Sequence, residues 1–105
     1  MEFKQLEMFV SVAEERSTQR AAARVFRTQP AVSMAIGKLE EEAGSPLFHR
    51  ARGERFRLTD LGEVLYRYAK RLLELRDEAA IALECQSAAI NRVTKTAQSR
   101  TTSLD

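Results

Sequence analysis

The stretch Thr28-Gln29-Pro30-Ala31-Val32-Ser33-Met34-Ala35-Ile36-Gly37-Lys38-Leu39-Glu40-Glu41-Glu42-Ala43-Gly44 holds both ends of a helix and the pattern between them. Thr28 offers a hydroxyl to cap the first turn, and Pro30 sits where a helix needs no backbone N–H. Val32, Ile36, Leu39 and Ala43 recur at spacings of four, three and four, which makes one apolar stripe. Gly44 suits the left-handed residue that ends a helix, and Ser45-Pro46 prevents continuation. The opposite face carries Gln29, Pro30, Ser33, Met34, Gly37 and Lys38, with no acid among them.

Upstream, Ser17 can cap a shorter helix over Thr18 to Val25, where Ala21, Ala22 and Ala23 let another helix approach closely. Phe26-Arg27 then reads as a tight turn. Phe3, Leu6, Phe9, Val10 and Ala13 recur at helical spacing and predict an amphipathic opening helix that serves only the core. A short helix, a tight turn and a longer helix make a helix-turn-helix pattern. Periodicity alone leaves a generic three-helix bundle with the same stripes open.

Downstream, Leu47-Phe48 is an apolar plug, and 49–52 with 55–58 read as two short strands around Gly53-Glu54. Arg50, Arg52, Arg55 and Arg57 project from this hairpin, a wing whose guanidinium groups suit paired phosphate oxygens. His49 reads as a structural or solvated side chain, not a ligand. Thr59 caps a long helix with Asp60 and Glu63 in its first turn. Leu61, Leu65, Tyr68, Leu72, Leu75, Ala79, Ala82 and Gln86 alternate by four and three, a coiled-coil seam that implies homodimerisation. A second stripe, Val64, Leu73, Ala80, Ile81 and Leu83, is positioned to pack on the first helix of its own domain or of a partner domain. The expected organisation is therefore a mainly α winged helix-turn-helix over 1–58, a linker and dimerisation helix over 59–90, and a disordered Thr/Ser-rich tail over 91–105.

Composition narrows the function. The 105 residues are 44% hydrophobic and 30% charged, an ordinary globular balance with room for one small domain and one accessory element. No apolar run approaches the ~18 residues of a membrane span, and Glu2, Lys4, Glu7, Glu14 and Glu15 interrupt any signal-peptide core. One cysteine and one histidine exclude an internal disulfide and a zinc cluster and leave little for acid–base or nucleophilic catalysis. These counts point to a cytoplasmic binding protein without cofactor or metal, not an enzyme. Cys85 lies beside the seam and is expected as a reduced thiol.

Net charge is only +2, but its distribution is uneven. Arg16, Arg20, Arg24, Arg27 and Lys38 lie in a stretch, 16–39, that has no acid, and four arginines face one glutamate over 49–57. Two basic clusters around an acidic triplet can present one face to phosphates, or can be two solvated surfaces. Glu40 to Glu42 begin eleven positions after Gln29, ~16 Å along the axis, so a helix entering a groove by its N-terminus keeps its acids away from phosphate.

Taken in order, Leu6-Glu7-Met8-Phe9, Ala21-Ala22, Thr28-Gln29-Pro30-Ala31-Val32-Ser33, Ile36, Leu39-Glu40, Gly44, Pro46-Leu47-Phe48, Arg50, and Leu58-Thr59 with Gly62 resemble the N-terminal DNA-binding domain of LysR-type transcriptional regulators. The resemblance runs from Met1 to about Ala82. It implies a winged helix-turn-helix homodimer, or a higher oligomer, that binds double-stranded promoter DNA at interrupted palindromes. By position, Gln29, Pro30, Ser33 and Met34 would face bases, with Gly37 on the same face. Thr28 and Lys38 would touch the backbone together with Thr18, Gln19 and Arg27, and Arg50, Arg52 and Arg55 would act from the wing. A glutamine amide can pair with adenine, and Pro30 and Met34 can meet a thymine methyl.

Three departures from the family pattern stand out. Met34 replaces a common donor. Thr18 and Gln19 stand where an apolar and a small hydroxyl residue are usual. Gly37 costs the helix about 1 kcal/mol relative to alanine. The expectation is binding that leans on wing and backbone charge, with relaxed sequence preference. Nothing after Asn91 can form the effector domain that follows in such regulators, so no small-molecule effector is expected for this chain. A coiled-coil module that heterodimerises with a full-length regulator is the competing reading.

Overall fold

The computed structural model describes residues 1–50 and 55–97, the last seven by backbone alone. Its elements are α1 (Phe3–Glu15), α2 (Thr18–Arg24), α3 (Gln29–Ala43), β1 (Phe48–His49), β2 (Arg57–Leu58) and α4 (Asp60–Ala97). The chain falls into two units, Met1–Leu73 and Glu74–Asp105.

In the first unit the helix ends form where the sequence provides caps. Ser17 Oγ accepts the Arg20 N–H at 3.1 Å and Thr28 Oγ1 accepts the Ala31 N–H at 3.2 Å. Gly44 takes a left-handed φ of 80° and donates its N–H to the Glu40 carbonyl at 2.8 Å. Leu6, Phe9, Val10 and Val12 of α1 close on Ala21 and Ala22 of α2 and on Val32, Ile36 and Leu39 of α3. The small Ala21-Ala22 pair brings α2 close enough for this three-helix core. Ala35 is buried, whereas Ala43, expected on the stripe, is exposed at the end of the helix.

The hairpin is shorter than the spacing predicts. Phe48 pairs with Leu58 and His49 with Arg57, antiparallel, two residues a strand. Phe48 is both strand and core: its ring lies 5.3 Å from that of Phe9 and 5.6 Å from that of Phe56. Burial of this ring holds the strand one residue earlier than expected. The tip, including Arg52, lies outside the described residues.

The face of α4 turned to this core is Gly62, Leu65, Tyr66, Ala69 and Leu73. Leu65, expected on the seam, packs in part against the core of its own domain, and Val64 of the second stripe is exposed and not packed on α1 of its own domain. Leu73 packs on the core as its stripe predicts. Leu61, Tyr68 and Leu72 remain exposed. In the second unit Leu75, Ala79 and Ala82 are exposed, as are Ala80, Ile81 and Leu83. The helix continues to Ala97, beyond Asn91 where the apolar pattern fades, because no glycine or proline interrupts 63–97. No helix among the described residues is long and apolar enough to cross a membrane.

The main chain of Leu47 joins α3 to α4. Its N–H donates to Glu40 Oε2 at 2.8 Å, and its carbonyl accepts the Thr59 N–H at 3.0 Å. Thr59 Oγ1 donates to the Pro46 carbonyl at 2.9 Å and accepts the Gly62 N–H at 3.0 Å, capping α4. A Cβ at Gly62 would collide with the Leu47 carbonyl oxygen, and that collision makes glycine necessary there. At Gly37 a Cβ would meet nothing within 4 Å. The two glycines should thus respond oppositely to alanine in denaturant melts. Gly62→Ala is expected to cost at least about 2 kcal/mol. Gly37→Ala is expected to gain up to about 1 kcal/mol.

Candidate nucleic-acid interface

The N-terminal half of α3 is presented to solvent as its pattern predicts. Thr28, Gln29, Pro30, Ser33, Met34 and Lys38 are exposed, Met34 at 64%, and Gly37 is half-buried. Beside them, at the start of α2, Gln19 is exposed and Thr18 half-buried. Gln29 Nε2 donates to Thr18 Oγ1 at 2.9 Å, which ties the first residue of α3 to the first residue of α2. Arg20, Arg27 and Lys38 are exposed and make no ion pair with any described residue.

Two cations counted as phosphate-seeking have acidic partners inside the domain. Arg24 reaches Glu14 at 2.7 Å and Glu15 at 3.4 Å. Arg50 on the wing reaches Glu40 at 3.1 Å, and its guanidinium carbon stands 5.6 Å from the Phe56 ring centroid. Arg55 is exposed, and Arg52 lies outside the described residues. The acidic triplet is largely occupied: Glu40 holds Leu47 and Arg50, and Glu42 takes the N-terminal ammonium at 2.9 Å. Residue spacing alone could not reveal these pairings, which join separate elements seven or more positions apart.

Phe26, read from sequence only as part of a turn, adopts φ 56° and is 93% exposed. A bulky residue in left-handed backbone is a strained one. Its φ follows from the tight connection, in which the Arg27 N–H reaches back to the Ala22 carbonyl at 2.9 Å.

A second surface of the same unit is apolar. Met1, Leu39, Leu47, Leu61, Val64 and Tyr68 are among the residues lining a groove of about 520 Å³. Phe3 and Leu72 lie along a neighbouring groove that Met1 also lines. Among the described residues no group of three His, Cys, Asp or Glu could hold a metal ion, and Cys85 is an exposed thiol.

The family described as bacterial regulatory helix-turn-helix protein, lysR family, matches residues 3–63. The chain belongs to the LysR family. Its LysR relatives include the HTH-type transcriptional regulator BudR of Klebsiella aerogenes, 46% identical over 80 residues, covering 75% of this chain and 54% of BudR. A probable RuBisCO transcriptional regulator of Cyanidioschyzon merolae is 41% identical over 80 residues, covering 76% of this chain and 26% of that protein. The chain thus spans a quarter to about half the length of these curated relatives. The solved BenM_DBD/catB site 1 DNA complex superposes with a TM-score of 0.79 at 34% identity, covering 83% of this chain and 97% of that one.

Within this LysR domain Glu14 is the electrostatic hub. The Tyr66 hydroxyl donates to it at 2.6 Å, Arg24 at 2.7 Å and Lys70 at 3.3 Å. The Tyr66 hydrogen bond first, then Arg24 and Lys70, hold its carboxyl at about 2 against an ordinary 4.5, with partial burial opposing them. Each one's own hydrogen bond to Glu14 raises the Tyr66 hydroxyl and Arg24 above their ordinary values. A depressed carboxyl contributes stability that is complete above its unfolded pKa and is lost as pH falls through the folded one. Stability should therefore decline from pH 4.5 towards 2 through this group. Thermal melts of Glu14→Gln across that window should show a shallower decline than those of the parent.

Proposed function

We propose that this chain is the DNA-reading and dimerising part of a LysR-type transcriptional regulator, acting by binding and not by catalysis. The exposed, acid-free N-terminal face of α3 carries this reading, since it offers amide, hydroxyl and apolar contacts at the positive end of a helix dipole. Likeness to BenM_DBD in complex with DNA supports it. In the major groove Gln29 meets adenine, Pro30 and Met34 lie against thymine methyl groups, and Ser33 offers a hydroxyl. Thr18, Gln19, Arg27, Thr28 and Lys38 meet the flanking backbone, and Gly37 lets the helix approach without a side chain. Arg50, Arg52 and Arg55 act from the wing. A second copy covers the apolar grooves and the exposed Leu61, Tyr68 and Leu72. That assembly presents two reading heads to a palindrome. The dimer interface continues through Leu75, Ala79 and Ala82, with Leu65 shared between it and the domain core.

Fluorescence anisotropy titrations on random and promoter-derived duplexes, repeated over a salt series, test the reading. Engagement of about four phosphates per subunit, about eight per dimer, gives a log–log salt slope of roughly −7, with tighter binding to a palindromic duplex. Absence of binding to any duplex, with a dimer seen by light scattering, would instead support an interaction module that pairs with a longer regulator. In that second reading a longer partner, and not a second copy, covers the apolar grooves.

The Glu40–Arg50 pair makes a separate prediction. Glu40→Gln keeps an acceptor for the Leu47 N–H but releases the guanidinium. The salt slope should steepen by about 1.8, one further phosphate per subunit of the dimer. An unchanged slope would mean that Arg50 does not reach the backbone or already leaves Glu40 to do so.

A further inference from the structure

We infer that Thr18 is a positioning residue for base recognition: its hydroxyl aims the Gln29 amide and thereby sets the selectivity of one base pair. The inference rests on the DNA-reading function proposed above. It starts from the 2.9 Å hydrogen bond from Gln29 Nε2 to Thr18 Oγ1, which spans eleven positions and joins the first residues of α2 and α3. Both ends of this contact are fixed by their backbones. Ser17 caps α2 immediately before Thr18, and Thr28 caps α3 immediately before Gln29. Pro30 restricts the backbone directly after Gln29.

A glutamine side chain on an open surface samples many rotamers, and a reader that must first be ordered discriminates poorly. Adenine presents an acceptor at N7 and a donor at N6, and a carboxamide satisfies both with its oxygen and the N–H on the same edge. The second N–H points away from that edge. Thr18 can hold that second hydrogen while the edge remains available to the base. A threonine at position 18 is therefore a polar clamp, and it gives Gln29 a defined direction before DNA arrives.

The rest of the face makes this contact matter more. Met34 and Gly37 contribute no hydrogen-bond donor from their side chains, so directional base contacts concentrate at Gln29 and Ser33. Sequence preference is then narrow in position: pronounced at the base pair under Gln29 and slight under Met34 and Gly37.

The test is selection from a pool of duplexes with randomised palindromic half-sites, sequenced before and after binding, for the parent chain, Thr18→Val, Thr18→Ser and Gln29→Ala. Dissociation constants follow on duplex pairs that differ at the selected adenine. The readout is the ratio of the two constants, which uniform weakening or partial unfolding leaves unmoved. Thr18→Val should lower that ratio by on the order of tenfold, within the worth of one bidentate base contact. Thr18→Ser, which keeps the hydroxyl, should restore it. In a Gln29→Ala background Thr18→Val should leave the ratio unaltered, because the two residues act as one unit. A parent that selects an adenine while Thr18→Val keeps the same ratio would overturn the positioning role and leave the DNA-reading function standing. A parent that selects no base at any position would overturn both.

Discussion

The main chain of Leu47 is the constraint on which the joining of the reading helix to α4 depends. Its N–H is held by Glu40 from the last turns of α3, and its carbonyl is held by Thr59 at the start of α4. Gly62 then lies against the same carbonyl with no room for a side chain. The Leu47 side chain is fully buried, worth ~2 kcal/mol or more of apolar transfer. Three backbone-level restraints on one residue leave α4 a single way to leave the domain. The register of that exit decides which stripe of α4 faces the core. Gly62, Leu65, Tyr66, Ala69 and Leu73 turn inward, so Leu61, Tyr68 and Leu72 turn outward.

The same economy governs the charges. Basic residues accumulate where phosphates would lie, but the domain draws two of them into its own architecture. Arg24 braces α2 against α1 through Glu14 and Glu15, and Arg50 braces the wing against α3 through Glu40. Exposed pairs of this kind contribute little stability singly. Their effect is on placement: the wing arginine is aimed by Glu40 and stacked on Phe56, and α1, α2 and α4 share one carboxylate. Arg20, Arg27 and Lys38 are left to carry the field around the helix-turn-helix.

Much of this was legible in the residues. Ser17, Thr28, Gly44 and Thr59 mark helix ends by local chemistry, so the helix order could be read directly, and the exposed face of α3 followed from its apolar stripe. Local signals failed where long-range packing decided the outcome. Phe48 was readable as apolar, but not as the ring whose burial starts the strand one residue earlier than its spacing predicts. Leu65 fits a coiled-coil seam by spacing, yet it also packs in part against the core of its own domain. The Arg50–Glu40 and Gln29–Thr18 contacts depend on how separate elements meet, which no spacing encodes.

In the proposed complex α3 meets DNA with its N-terminal half while the apolar side of α4 meets protein. Backbone amide NMR during titration with a palindromic duplex tests it most directly. That arrangement concentrates shifts at 17–20, 27–38 and the wing and leaves Leu61, Val64, Tyr68 and Leu72 unmoved. Shifts confined to α4 and the N-terminus of α1, with Gln29, Ser33 and Met34 silent, would contradict it.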